Sequence, residues 1–206
     1  MGITIGGEER RYYRFRDPDD GTVDYYDKAG KNAQKFLMRK PMSVGTFRRG
    51  FGMQRHPLLG YARMHTGVDW SAPRGTPIMS SGDGEIIKAG WMSGYGNYIE
   101  VRHSNGYATA YAHMTGFAKG MKKGARVRQG QVIGYVGSTG LSTGPHLHFE
   151  ILVNDRQVDP MRIRLPEGKT LEGEALASFE SERARIDALV NGTPATLAAA
   201  GTIEGG

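Results

Sequence analysis

Between residues 60 and 162 apolar and polar side chains tend to alternate one for one, the period of a half-buried strand. The runs GDGEIIKAGWM (82–92), GNYIEVRH (96–103), YATAYAHM (107–114), QVIGYVGS (131–138) and HLHFEILV (146–153) are of strand length, and glycine-bearing turns separate them. In YIEVRHSNGYATAYAHM the Asn105-Gly106 step suits a two-residue hairpin turn, whose central residues both need positive φ. No helical period interrupts the stretch. It predicts a mainly β fold, a compact antiparallel barrel or sandwich.

Outside this stretch the pattern changes twice. From Tyr12 to Phe47, short strand-like pieces alternate with DPDDGTVDYYDKAGKN, whose Asp-Gly and Ala-Gly steps signal turns. Residues 1–50 are therefore expected to form a small N-terminal β appendage, which could be the remnant of a larger upstream domain, and 51–165 the main domain. Past Pro166, LEGEALASFESERARIDALV sets Leu176, Phe179, Ile186, Leu189 and Val190 at helical spacing, which predicts a C-terminal amphipathic helix within 166–190 that packs back on the body. The segment 191–206 has too little apolar surface to build a core and is expected to be a disordered tail.

Composition narrows the chemistry. With 206 residues the chain can bury one sizeable core and a smaller appendage. There is no cysteine, so disulfides and thiolate sites are excluded and any metal must be held by His, Asp or Glu. The start MGITIGGEERRYYRFR lacks the apolar core of a secretory signal, and no apolar run is long enough to span a membrane. An export segment or anchor, if one is used, is expected outside this chain. The net charge of +6 suits an acidic partner such as an anionic wall polymer. The basic stretches EERRYYRFR, RKPMSVGTFRRG and KGMKKGARVR match no nucleic-acid module, so nucleic acid is not expected as a partner.

Two of the six histidines stand one residue apart, at His146 and His148. On a strand they share a face. Such a pair can be purely structural, but RMHTGVDW adds His65 and Asp69, whose even separation also gives a shared face on an extended chain. Three donors of type His, Asp and His suit a catalytic zinc site, which keeps a further position open. One imidazole of the 146/148 pair is then left over, and His113 in YAHM could reach the same cleft. Glu150 shares the face of His146 and His148 by alternation; it either orients an imidazole from behind or faces solvent. His103 is expected to be structural, donating to a nearby carbonyl, and His56 to lie on the surface or a rim. The turns MSGYGN and GSTGLSTG are expected to shape groove walls.

These residues resemble a known family. His65-x-Gly67-x-Asp69, YAHM and Pro145-His146-x-His148, with GTPI, GDGEI, GYGNYIEVRH, GQVIGYVGSTG and STGPHLHFEI around them, are similar to the signatures of LytM-type, lysostaphin-like zinc metallopeptidases of peptidase family M23. The resemblance runs from about Phe51 to Pro160. It implies a barrel/sandwich hybrid of the duplicated hybrid motif type, one Zn²⁺ on His65, Asp69 and His148, and His113 and His146 off the metal as catalytic residues. It further implies an endopeptidase that hydrolyses peptide cross-links of bacterial peptidoglycan in the cell envelope, periplasmic or extracellular, with D-alanyl–diamino acid bonds preferred to glycine bridges. The other reading is a catalytically inactive LytM-like module that binds wall or activates an amidase, but such modules lose metal ligands and this chain has all five positions. A third, drawn from VRQGQVIGYVGSTG, is a carrier-domain hairpin, which leaves Asp69 without a role. Nothing in the sequence bears on oligomeric state.

Overall fold

Tyr13 and Phe15 point one way along a short strand and Arg14 and Arg16 the other, and this alternation organises the smaller of two compact units. A computed structural model of the chain describes residues 2–5, 8–19, 21–33, 36–55, 62–166 and 168–191. The smaller unit takes in both ends of the chain, 1–36 and 166–206, and the larger spans Leu37–Leu165.

In the smaller unit β1 (Gly2–Ile5) pairs with β2 (Glu8–Arg11), and β3 (Tyr13–Arg16) with β4 (Val23–Tyr26), all antiparallel. The one helix among the described residues, α1 (Gly173–Val190), buries Ala175 and Phe179 against Tyr13, Phe15, Tyr26 and Leu171. The Phe15 and Phe179 rings meet edge to face at 5.4 Å, a favoured aromatic geometry. Helix and hairpin therefore share one core, although they are far apart in sequence. Leu176 and Ile186 flank this core, whereas Leu189 and Val190, expected on the apolar face, are exposed. The buried stripe ends before the last turn. Asp17, wholly buried, is paired with Lys169, which offsets the cost of burying its charge. The expected tail beyond Asn191 lies outside the described residues, as does His56.

The larger unit is β throughout its described residues: β5 (Thr46–Arg49), β6 (Gly52–Arg55), β7 (Ala62–His65), β8 (Val68–Ser71), β9 (Pro77–Met79), β10 (Gly84–Met92), β11 (Gly96–Arg102), β12 (Tyr107–Phe117), β13 (Arg126–Val127), β14 (Val132–Val136), β15 (His146–Val153) and β16 (Arg156–Val158). One antiparallel sheet runs β13-β10-β11-β12-β15-β8-β5; β14 pairs with β12 and β9, and β16 with β15. The hairpin of β6 and β7 stands beside it as a separate two-stranded sheet. The β11–β12 turn forms as expected, with Asn105 at φ 57° and Gly106 at φ 72°.

Strand β15 is buried on both faces. Leu147, Phe149 and Ile151 enter a core with Val68, Ile86 and Ile99, all fully buried. On the opposite face His148, Glu150 and Leu152 stand beside Ala112, Ala110 and Ala108 of β12, in direct register. Alanines at those three positions leave room for an imidazole and a carboxylate.

Candidate metal centre and its groove

Three short segments bring the chemistry together. His148 of β15 lies directly opposite Asp69 of β8, and His146 opposite Ser71. His65 ends β7, and the chain turns at Thr66-Gly67 before β8 begins. His65 and Asp69 are thus on different strands, and the turn rather than alternation along one extended segment aims them at one point. Gly67 lets this turn lie close against β15: a Cβ there would lie 2.4 Å from the Phe149 carbonyl oxygen.

One donor atom from each of His65, Asp69 and His148 lies within 4.8 Å of the others. The contacts are 3.1 Å from His65 Nε2 to Asp69 Oδ1, 2.9 Å from His148 Nδ1 to Asp69 Oδ1, and 3.0 Å between the two ring nitrogens. Their outer partners fix the tautomers. His65 Nδ1 donates to the Gly50 carbonyl at 2.6 Å, and His148 Nε2 donates to the Glu150 carboxylate at 3.0 Å. In the neutral rings, His65 Nε2 and His148 Nδ1 are then bare lone pairs, facing each other and a carboxylate oxygen. Three acceptors cannot meet without positive charge between them.

A proton on His148 is one source of that charge: burial opposes it, but hydrogen bonds to Asp69 and Glu150 outweigh burial and push its pKa up to about 9. Burial likewise disfavours the Asp69 carboxylate, yet hydrogen bonds with His148 and His65 hold its pKa far below the usual range. A divalent cation is the other source, and two imidazoles with one carboxylate are a donor set that suits it.

Glu150 does not face solvent. It is buried behind His148, and besides that ring it accepts hydrogen bonds from Thr66 Oγ1 and, at 2.9 Å, from Tyr95 OH. Burial raises its pKa, but the bonds from His148, Thr66 and Tyr95 more than reverse this and keep it ionised. Thr66 and Tyr95 belong to the site although the sequence pattern singled out neither; each stands inside a stretch whose other residues drew the attention, RMHTGVDW and MSGYGN.

His113 and His146 lie together on the other side of the three donors, ring centroids 4.7 Å apart. A β-bulge re-aims His113: the β11–β12 register shifts here, and its φ is 59°, left-handed for a non-glycine residue. Its Nδ1 donates to the Thr139 carbonyl at 2.8 Å, and His146 Nδ1 donates to the Gly144 carbonyl at 2.7 Å. Both Nε2 atoms are therefore free as acceptors when the rings are neutral; that of His146 is 3.9 Å from Asp69 Oδ1. Burial, and then the neighbouring His146, lower the His113 pKa to about 4. Burial also lowers that of His146, with smaller pushes from His148 and Arg48, against the raising effect of Gly144 and Asp69. His103 is separate and structural: its Nδ1 donates to the Asp83 carbonyl at 2.6 Å.

All five residues line one groove of about 280 Å³. Ser93, Gly94 and Tyr95 border it, as do Leu141, Ser142 and Thr143, so both glycine-rich turns contribute to its walls. Three residues not anticipated by the pattern reading, Arg48, Arg49 and Arg63, border it as well.

A mainly β domain with a His-Asp-His cluster able to hold a metal ion, beside two imidazoles with free acceptor nitrogens, is of the class whose parts suit metal-assisted hydrolysis. The sequence matches peptidase family M23 over residues 63–160. It is 42% identical over 162 residues to the peptidoglycan DD-endopeptidase ShyC of Vibrio cholerae, covering 78% of this chain and 37% of that relative. A crystal structure of a zinc-containing peptidase from Vibrio cholerae is similar with a TM-score of 0.60 and 34% identity, over 80% of this chain and 50% of that one. The catalytic domain of lysostaphin from Staphylococcus simulans is 37% identical with a TM-score of 0.52, over 57% of this chain and 90% of that domain. The chain belongs to peptidase family M23. It spans little more than a third of the length of ShyC.

Proposed function

We propose that this chain is a zinc-dependent endopeptidase that hydrolyses peptide cross-links of bacterial peptidoglycan, with one Zn²⁺ held by His65, Asp69 and His148 and with His113 and His146 at the reacting bond. The observation that carries this reading is the convergence of three lone-pair donors next to two imidazoles whose Nε2 atoms are both free to accept a proton. A bound zinc ion supplies Lewis acidity, polarising the scissile carbonyl and lowering the pKa of water.

The remaining work falls to the protein's own groups. Glu150 holds the His148 ring through its Nε2–H, as outer carboxylates commonly do for a ligating imidazole. A neutral His113 or His146 takes a proton from the attacking water at Nε2 and passes it to the departing amine. Their rings are close enough that a proton on one disfavours a proton on the other, so the pair carries a single charge as it works. The partner left neutral keeps its acceptor for the incoming water.

A substrate in peptidoglycan places the protein in the cell envelope. ShyC is named for DD-endopeptidase activity, and D-alanyl–diamino acid bonds are accordingly the preferred target here. The complete donor set and the intact imidazole pair favour an enzyme over an inactive, wall-binding module.

Digestion of purified sacculi, with the released termini identified by mass spectrometry, tests the reading. Zinc-loaded protein is expected to release new D-alanine carboxyl termini and new amines. Protein that binds zinc but leaves both D-alanyl and glycine cross-links intact overturns it.

A further inference from the structure

The groove that holds Asp69 is otherwise bordered by positive charge. Arg48 and Arg49 come from β5 and Arg63 from β7. Arg49 stands opposite Asp69 in the β5–β8 register. Arg63 precedes His65 by two residues on the same strand and so shares its face. Among the described residues none of the three is paired with a carboxylate; the Asp69 Oδ1 is engaged by His65 and His148. On the facing walls, residues 93–95 and 141–143 carry no charge. Several unpaired guanidinium groups around one cleft concentrate positive potential there and complement an anionic ligand.

Resting on the endopeptidase reading of this groove, we propose that Arg48, Arg49 and Arg63 recognise free carboxylates beside the scissile bond. The enzyme thereby selects cross-links whose amine donor is a diamino dicarboxylic acid over glycine bridges and over diamino monocarboxylic acids. In the dicarboxylic case the carbon that bears the acylated amine also bears a carboxylate, next to the bond to be cut. A guanidinium can hold that group through two parallel N–H···O bonds, which fixes position as well as charge. A glycine bridge or a lysine side chain offers no carboxylate at this place. The carboxylate is unchanged by the reaction: water breaks the C–N bond, its hydroxyl joins the acyl carbon and its proton the amine. The arginines act as specificity residues.

Two cross-linked muropeptide dimers that differ only in this group, free carboxylate or carboxamide, provide the test. kcat/KM is measured on both for the zinc-loaded full chain, for Arg48→Gln, Arg49→Gln and Arg63→Gln, and for the triple variant, with zinc content and thermal unfolding followed in parallel. The wild type is expected to lose ~10- to 100-fold in kcat/KM on amidation, the range of a charge-assisted hydrogen-bonded pair. The triple variant is expected to treat both dimers alike to within about twofold while keeping its zinc. Equal cleavage of both dimers by the wild type, which requires no variant to fold, overturns the proposal. So does full discrimination retained by a folded triple variant. Cleavage of neither dimer by the wild type is a different result: it overturns the endopeptidase reading, and this proposal with it.

Discussion

The two faces of strand β15 belong to one octapeptide but to different problems. Leu147, Phe149 and Ile151 are sealed in the core, while on the other face His146 and His148 line the groove, Glu150 is buried behind His148, and all three hold protons or lone pairs. Because consecutive side chains point to opposite faces, stability and chemistry are written in alternate letters. The comparison teaches that a change of one position along this strand should change which property is lost. Substitutions on the two faces can break that separation or sharpen it.

The largest effect is expected at His148. Replacing it with alanine leaves Asp69 and Glu150 buried without their shared partner, so His148→Ala should abolish zinc binding and hydrolysis together. Zinc content after gel filtration and sacculus digestion measure both. Full zinc occupancy in this variant would sink its assignment as a ligand.

His146→Ala should instead keep most of the zinc while hydrolysis falls by about 10²- to 10⁴-fold, the usual share of a general acid or base. His113→Ala should behave in the same way, since both rings present a free Nε2 to the groove. If either variant loses its metal, the division between ligands and proton carriers fails.

On the core face, Phe149→Ala is expected to lower stability by about 3–5 kcal/mol through the cavity it leaves. Urea unfolding of the zinc-loaded protein reports this. The material that stays folded should cleave at close to the wild-type rate; a large fall in kcat for folded protein would show that the two faces are coupled.

Behind the ligand, Glu150→Gln should weaken zinc by about 10- to 100-fold without removing the site, because the amide can still accept from His148 but no longer carries charge. Competition with a coloured chelator gives the affinity. An unchanged affinity means that Glu150 serves packing alone.

The smallest effect per step is that of pH. In the metal-free protein the His148 pKa is raised to about 9, so below that pH a proton must leave before its Nδ1 can bind metal. Zinc affinity should therefore fall about tenfold for each pH unit below 9, the slope for one displaced proton. A flat profile between pH 6 and 8 contradicts the raised value.

Much of this was legible before any coordinates. The Asn105-Gly106 turn, the strands around it and the shared face of His146 and His148 follow from local rules, because period-two alternation and positive φ at Asn-Gly are properties of the chain itself. Other features were not legible, because they depend on what a distant segment does. Leu189 and Val190 fit the helical period but are exposed, since the aromatic cluster that α1 covers ends before the last turn. Hydrophobic spacing describes one helix, not the extent of its partner. Thr66, Tyr95 and the three groove arginines carried no pattern of their own, and only the meeting of β5, the β6–β7 hairpin, the β10–β11 turn and β15 at one groove gives them a common place.

What the sequence determined by itself was an inventory with directions: a mainly β chain, no thiolates, and five His and Asp residues on strands or turns where alternation brings some of them to one face. The tertiary structure decided the roles. It set His148 opposite Asp69, placed a turn at Gly67 so that His65 points inward, bent His113 into the groove by a bulge, and fixed the tautomers of His65 and His113 through the carbonyls of Gly50 and Thr139 on other segments. A ring nitrogen is a donor or an acceptor according to what sits on its other side, and that neighbour is supplied by folding.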